Sequence, residues 1–358
     1  MRKSTSQMRK LKKVLGLLVF VASIAIMTYI PLNNLFNSAN NSFLDRKNYI
    51  ASTYSASSRD DLVNAINNSS SGDIINLTGN IDSASSIEIP SGKNVTINLN
   101  NYNISTSLEN TGRHYYAFIN RGTVYINGNG TISARGVANF GEMHITNATV
   151  EAQDQSGAGL WNEGTLYVSG GTVSTTFIGT KDDSYGVVGI YNLGTLELGS
   201  TTVTSVNKRS YAVVSVGTMT IDGAIVHGTR GAVAVDGGSA TIEDGTFTGD
   251  DFFGLYVSND GAKTNAAGTI TQTATTATVI VNDGTFTGKI YSVYLGSDLN
   301  NTDNSTATIN GGTYQGGVEV STDTGSISID ASDLSYSSTY TSCTTVQCAL
   351  DELNSRFN

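Results

Sequence analysis

Residues 162–173 read NEGTLYVSGGTV. Leu166 and Val168 alternate with Thr165 and Tyr167, a period of two that belongs to a strand and not to a helix. A glycine pair then separates this run from a second short apolar one at Val173. Something very like it returns along most of the chain. With the last inward residue before the turn as anchor, the repeats fall at Ile126, Ile145, Val168, Leu198, Ile221, Ile242, Val281, Ile309 and Ile329. A second apolar residue follows five positions later at Val150, Val173, Val203, Val226, Phe247, Phe286, Tyr314 and Leu334, whereas Ile132 follows Ile126 at six. Two earlier repeats fit less tightly, at Leu77 and at Leu99 with Ile104. Anchors lie 19 to 39 residues apart, too far for a hexapeptide repeat and too unevenly for a propeller blade.

A third apolar segment precedes each anchor, as in YAFIN, GAGLWN, VGIYN, YAVVS and GAVAV. Three short strands per repeat imply three parallel sheets wound into an all-β solenoid of about eleven coils. Each coil can bury its inward face only against its neighbours, which explains the repetition. Composition agrees: the 358 residues include 39 glycines and two prolines, and only 14% are charged. Six positions before the anchors stand Asn120, Asn139, Asn162, Asn192, Ser215, Asp236, Asp303 and Asp323. Glycine follows two later at Gly122, Gly141, Gly164, Gly194, Gly217 and Gly238. Strands stack about 4.8 Å apart, so the asparagines are expected to hydrogen-bond along the axis as a structural ladder. The glycines are expected to turn the backbone with positive φ.

A solenoid must cover its open ends. SSRDDLVNAINN, residues 57–68, offers Ser58 as N-cap, Asp61 in the capping-box region, and Leu62, Ala65 and Ile66 on one helical face. At the other end TTVQCALDELNSRF, residues 344–357, spaces Val346, Leu350, Leu353 and Phe357 as a helix. That segment either closes the last coil or docks a partner. Cys343 and Cys348 would form a small local disulfide beside it, contributing little because the loop is short.

The stretch DDLVNAINNSSSGDIINLTGNI, then IEIPSGKNVTINLNNYNIS, then coils of the TLYVSGGTV kind, resembles the right-handed parallel β-helix of pectin-lyase-like proteins, especially their repetitive bacterial cell-surface members. The resemblance covers about residues 57–335 and implies the fold, not an activity. That superfamily includes pectate and pectin lyases, polygalacturonase-type hydrolases, phage tailspikes and adhesins. KDD at 181–183 and HGTR at 227–230 only loosely echo the hydrolase pattern, and no lyase motif is present, so no catalytic residue carries over. Ca2+ would enter as a cofactor only with a lyase; otherwise no cofactor is expected.

Loops from the third strand of one coil to the first strand of the next carry Arg135, Asp154, Lys181 with Asp182 and Asp183, Lys208 with Arg209, Arg230, and Asp250 with Asp251. On adjacent coils Asp154 and Asp183 would lie about 5 Å apart, near the separation used by retaining glycosidases. Lys208 and Arg209 would grip a uronate carboxylate. The plainer account of the same strip is a solvated ladder of opposite charges, each pair worth ~0–1 kcal/mol. On outward faces Trp161 and Tyr191 occupy matching positions, and Tyr125, His144, Tyr167 and Glu197 line the second sheet. Such rings stack on sugars or on one another. The three histidines, His114, His144 and His227, fall on different coils, so no metal site is expected.

The first 13 residues hold six of the 20 basic residues, leaving 14 against 30 acidic ones and a net charge of −16 over the remainder. A surface so acidic does not suit a nucleic-acid binder, which must neutralise phosphates. Residues 14–30, VLGLLVFVASIAIMTYI, form an uncharged run at the lower limit for spanning a bilayer. Cleavage after Ala39 or Ala56 would place Asn37 or Tyr54 at −3, where a small residue is wanted, so an uncleaved anchor is expected over a cleaved signal. The positive-inside rule puts the chain after Pro31 outside the cytoplasm. The resulting plan is a cytoplasmic basic segment (1–13), an anchor or signal segment (14–30), a flexible tether (31–56), the β-helix (57–335) and a C-terminal cap (336–358). The expected function is a membrane-anchored, adhesin-like or glycan-binding envelope protein without catalysis. Its partner would be a polysaccharide, a cell-surface glycan or a neighbouring cell. The alternative is an extracellular lyase or glycoside hydrolase acting on acidic polysaccharide.

Overall fold

The computed structural model describes residues 51–106, 116–134, 136–153, 158–176, 188–206, 210–259, 263–264, 270–272, 276–296, 304–320, 326–329 and 335–336. They form a parallel β-helix of eleven coils within the unit Ser52–Asn358. A complete coil consists of three strands, such as Ala158–Asn162, Thr165–Ser169 and Thr172–Thr175. The first strands of successive coils build a ten-stranded sheet. The second and third strands run together in a 21-stranded sheet because Thr218–Gly228 and Gly238–Gly249 each continue across the corner between them. Crossover connections between parallel strands are almost always right-handed, the sense expected for this helix.

The inward columns follow the repeat. Ile126 pairs with Ile145, Ile145 with Val168, Val168 with Leu198, Leu198 with Ile221, and Ile221 with Ile242. The column continues through Val281, Ile309 and Ile329. A second column runs from Ile104 through Ile132, Val150, Val173, Val203, Val226, Phe247 and Phe286 to Tyr314. Burial is essentially complete from Ile126 to Ile309 in the first and from Ile104 to Tyr314 in the second. Inside a solenoid this narrow the residues above and below supply most of the apolar contact. In the second column Phe247, Phe286 and Tyr314 therefore stack ring on ring, at 4.6 and 5.2 Å between centroids.

Three registers differ from the sequence reading. In the first two coils the column residues are Ile75 and Ile97, two positions before Leu77 and Leu99, which are also buried; alternation alone does not say which inward residue comes last. At the far end Tyr336, not Leu334, is the partner of Tyr314. The β-helix also begins before residue 57: Thr53–Ala56, assigned to the tether, is a strand parallel to Asp73–Leu77, with Ala56 seated against Leu77. Residues 1–50, including the basic and apolar segments, lie outside the described residues, as do the C-terminal cap beyond Tyr336, Cys343 and Cys348. Among the described residues no helix is long and apolar enough to cross a membrane.

The corner after the first strand holds the asparagine ladder. Asn120, Asn139, Asn162 and Asn192 are fully buried. Each donates from Nδ2 to the next coil, Asn120 to Asn139 Oδ1 (2.8 Å), Asn139 to Asn162 (2.8 Å), Asn162 to Asn192 (2.7 Å), and Asn192 to the Ser215 hydroxyl (3.0 Å). The same amides reach backbone carbonyls of the following coil, at Glu142, Thr165, Thr195 and Thr218. Asp236 stands one step past the ladder position, where its Oδ1 accepts from the Ser258 hydroxyl of the next coil at 3.1 Å. Val235 stands opposite Ser215, because Gly237 lengthens this one corner by a residue and moves Asp236 a step on. Asp303 and Asp323 lie outside the described residues.

The glycines beside the ladder serve close approach and not, as expected, positive φ; of the six only Gly238 has it. A Cβ on Gly141 would sit 2.1 Å from Gly122 O, on Gly164 2.0 Å from Gly141 O, and on Gly194 2.1 Å from Gly164 O. Left-handed backbone is instead found at the second corner, where Asn100, Asn101, Asn147, Gly170 and Gly171 all have positive φ.

Helix α1, Arg59–Asn68, buries Leu62, Ala65 and Ile66 against the first coil. Ser58 Oγ accepts from Asp61 N at 3.2 Å, and Asp61 Oδ2 accepts from Ser57 N and Oγ at 3.2 and 3.1 Å. The Ser58 and Ser57 hydrogen bonds hold the Asp61 carboxyl below its ordinary pKa. A lowered folded-state pKa contributes stability above the unfolded value of about 3.9 that is lost as pH falls through the folded one. The stability gap between wild type and Asp61→Asn should accordingly be full at pH 7 and close below pH 4, as read by denaturation at each pH.

Gly164→Ala forces a methyl into a neighbouring backbone and should cost roughly 1–3 kcal/mol. Gly199→Ala, whose Cβ would meet nothing nearer than 3.5 Å, should melt within a few degrees of wild type.

Candidate functional site: the outer face of the first sheet

In the first sheet Ala158–Asn162, Tyr211–Ser215 and Phe253–Val257 are buried at every position, and so on both faces. Their outward side chains form a second apolar cluster that includes Tyr116, Trp161, Val188, Tyr211, Val214, Phe253 and Tyr256. Two aligned rows supply it. One row runs through Ala138, Trp161, Tyr191, Val214, Ala234, Tyr256 and Tyr294. The other includes Tyr211, Gly231, Phe253 and Tyr291.

Trp161 and Tyr191 stack as matching positions should, with centroids 4.8 Å apart and planes 16° from parallel. Trp161 is only 6% exposed, and its Nε1 donates to Glu163 Oε1 at 2.9 Å, so this outward ring is packed and not open. Beneath it Tyr116 is buried with its hydroxyl unpaired, and burial, reinforced by the Glu163 charge, raises its pKa. The outer face of the second sheet behaves alike. Tyr125, His144 and Tyr167 stack at 4.5 and 4.3 Å, and His144 Nε2 lies 2.8 Å from Glu142 Oε1. Rings stacked on each other along the axis present their edges outward, which leaves few free faces for a sugar.

The aromatic surface is richest where the third strand of one coil turns into the first strand of the next. Phe253 stacks on Tyr294 (4.7 Å) and lies 5.7 Å from Tyr256 and 6.3 Å from Tyr291. Tyr211 leans over Gly231, whose Cβ would fall 2.3 Å from Tyr211 Cε1, and reaches Tyr256 at 5.8 Å. The preceding corner residues are themselves in register: Phe252 N donates to Arg230 O (2.9 Å) and Ile290 N to Phe252 O (3.0 Å). Arg230 is thus brought to this corner, its guanidinium carbon 5.6 Å from the Tyr211 ring centre and 5.3 Å from that of Phe252. Phe252 and Ile290 remain exposed.

The described part of the charged strip pairs its acids with side chains of the neighbouring coil. His227 Nε2 meets Asp250 Oδ1 at 2.9 Å, and Lys289 Nζ meets Asp251 Oδ1 at 3.7 Å. Both pairs are half exposed, the geometry of a solvated ladder. Asp154, Asp182, Asp183, Lys208 and Arg209 lie outside the described residues, so of the expected ligand-binding residues the structure places Trp161, Tyr191 and Arg230, all on or beside the first sheet. Tyr211, Phe252, Phe253, Tyr256, Tyr291 and Tyr294 were missed. For Tyr256 and Tyr294 the signal was present in GLYV and SVYL, where each alternates with the inward Leu255 and Val257 or Val293 and Leu295; Tyr211, Phe253 and Tyr291 stand two positions before the inward Val213, Leu255 and Val293, so alternation does not mark them as outward. Among the described residues no group of three or more His, Cys, Asp or Glu side chains is arranged to hold a metal. No family model matches the chain, and neither a curated protein nor a solved structure matches it.

Trp161 is the chain's one tryptophan, so intrinsic fluorescence reports on this face alone. Its emission should be blue-shifted and poorly quenched by acrylamide; a red, readily quenched emission would mean that the outer face stands open.

Proposed function

We propose that this protein is a non-catalytic, glycan-binding surface protein held at the cell envelope by residues 14–30, a β-helix of the pectin-lyase-like kind used for adhesion. The observation that carries the reading is the aromatic corner of Arg230, Phe252, Ile290, Tyr291 and Tyr294. There, ring and aliphatic surface lies beside an arginine on consecutive coils of a rigid rod. Sugars are bound by such a combination, apolar faces receiving C–H surface and charged donors receiving oxygen. The described charged strip supports the binding reading, since its acids are engaged from the neighbouring coil, Asp250 by His227 and Asp251 by Lys289. The acidic bulk behind a basic, apolar N-terminus agrees with display outside the cytoplasm.

The full-length chain should remain with membranes on fractionation, with its coils open to protease added outside intact cells. Applied to a glycan array it should bind a subset of polysaccharides. Incubated with the same polymers, with and without Ca2+, it should release no reducing ends and no unsaturated uronate absorbance. Turnover that disappears in Asp183→Asn would replace this reading with a hydrolase or lyase. A soluble cytoplasmic protein would overturn the envelope assignment.

A further inference from the structure

Among the described residues Arg230 has no anionic partner. Its Nε is buried with no hydrogen-bond partner. Among the described residues no carboxylate pairs with its guanidinium, although the segment after residue 13 carries twice as many acids as bases. The two acids nearest in sequence on the next coil are turned to other partners, Asp250 to the His227 ring and Asp251 to the Lys289 ammonium. Two rings hold the guanidinium instead, Tyr211 from its own coil and Phe252 from the next, both within cation–π range. Rings fix the guanidinium plane but accept none of its N–H groups, and a guanidinium carries five donors in a rigid fork. A fork held in place, with its donors unspent, is the half of a bidentate carboxylate contact that a protein can build in advance.

The surroundings narrow the ligand. Phe252 and Ile290, at the same corner position on the next two coils, are exposed by 37% and 45%, and continue from Arg230 as an apolar strip. Beyond this strip the protein is acidic, so a polyanion would be repelled along its length while gaining a single cation. A lone carboxylate suffers far less, because at physiological salt the distant acids are screened over about 8 Å. We propose that Arg230 binds the carboxylate of an isolated acidic sugar in an otherwise neutral glycan, the neighbouring neutral residues lying over Phe252 and Ile290. This rests on the glycan-binding reading and names its ligand class. Lys289 takes no part, being paired with Asp251.

The probe is a glucuronoxylan oligosaccharide with one glucuronate on a neutral xylose chain, compared with the same oligosaccharide after chemical reduction of its carboxyl group to an alcohol. By titration calorimetry the full-length protein should bind the acidic form roughly tenfold or more tightly than the reduced one, as one charge-assisted contact predicts. Arg230→Gln should bind both forms alike, at the level of wild type with the reduced form. Arg230→Lys, which keeps the charge but loses the fork, should recover only part of the discrimination. Lys289→Gln should keep all of it, and polygalacturonate should bind no tighter than the single-acid oligosaccharide. Equal wild-type affinity for the two forms overturns the carboxylate assignment and leaves the glycan reading standing. So does discrimination that survives in Arg230→Gln. Absence of binding to either form, when other glycans on an array are bound, overturns the ligand class alone; absence of binding to any glycan overturns the functional reading with it. If Arg230→Gln melts far below wild type because Tyr211 is uncovered, the wild-type comparison of the two oligosaccharides and the Lys variant still decide the matter.

Discussion

The structure depends on contact between one coil and the next. A coil of three short strands has no core of its own, and every inward side chain is buried by residues about twenty or thirty positions away that occupy the same place in the repeat. The first corner is where that contact is tightest. There the backbone carbonyl of one glycine lies where the next glycine's side chain would be, and a buried asparagine joins the two coils through amide and carbonyl together. Buried polar groups are tolerable only when satisfied, and the ladder satisfies the corner's backbone as well as itself. Glycine and asparagine are therefore coupled. The absence of a side chain permits the approach, and the amide then holds it.

How much of this could be read from the sequence depends on which features have a period. Inward columns have one, and the residues from Ile126 to Ile329 were placed in register by spacing alone. The asparagine ladder was legible from Asn120 to Ser215 for the same reason. Where a coil departs from the average length, spacing misleads: one inserted glycine at 237 carries Asp236 past the column, and the last coil closes on Tyr336 because its corner is longer than five residues. The purpose of the glycines was not legible. Whether a glycine serves φ or proximity depends on what lies across the gap, and that is a property of the assembled coils.

The candidate site was harder to read for a different reason. Alternation assigns a side chain to the inner or outer face, but not what covers the outer one. Trp161 faces outward as expected and is nevertheless buried. Arg230 was noticed as one charge among several in a strip, and its rings come from residues 19 before and 22 after it that look like ordinary strand aromatics. The acid pairs nearby, His227 with Asp250 and Lys289 with Asp251, follow the plain rule that an acid on one coil is met by a side chain of the coil beside it. Against that rule an arginine attended only by rings stands out.

The amides of the ladder all point the same way, each nitrogen toward the coil after it, so the column is a polarised chain of hydrogen bonds that strengthen one another. Such a column has a sense but no fixed length. Removing residues 158–187 would bring Asn139 against Asn192, Ile145 against Leu198 and Val150 against Val203, each a like-for-like replacement of the partner lost. Gene duplication or slippage could thus add or delete whole coils between Asn120 and Asn192 without disturbing either end. The number of coils would then be a heritable variable, set separately from the corner proposed to meet the ligand.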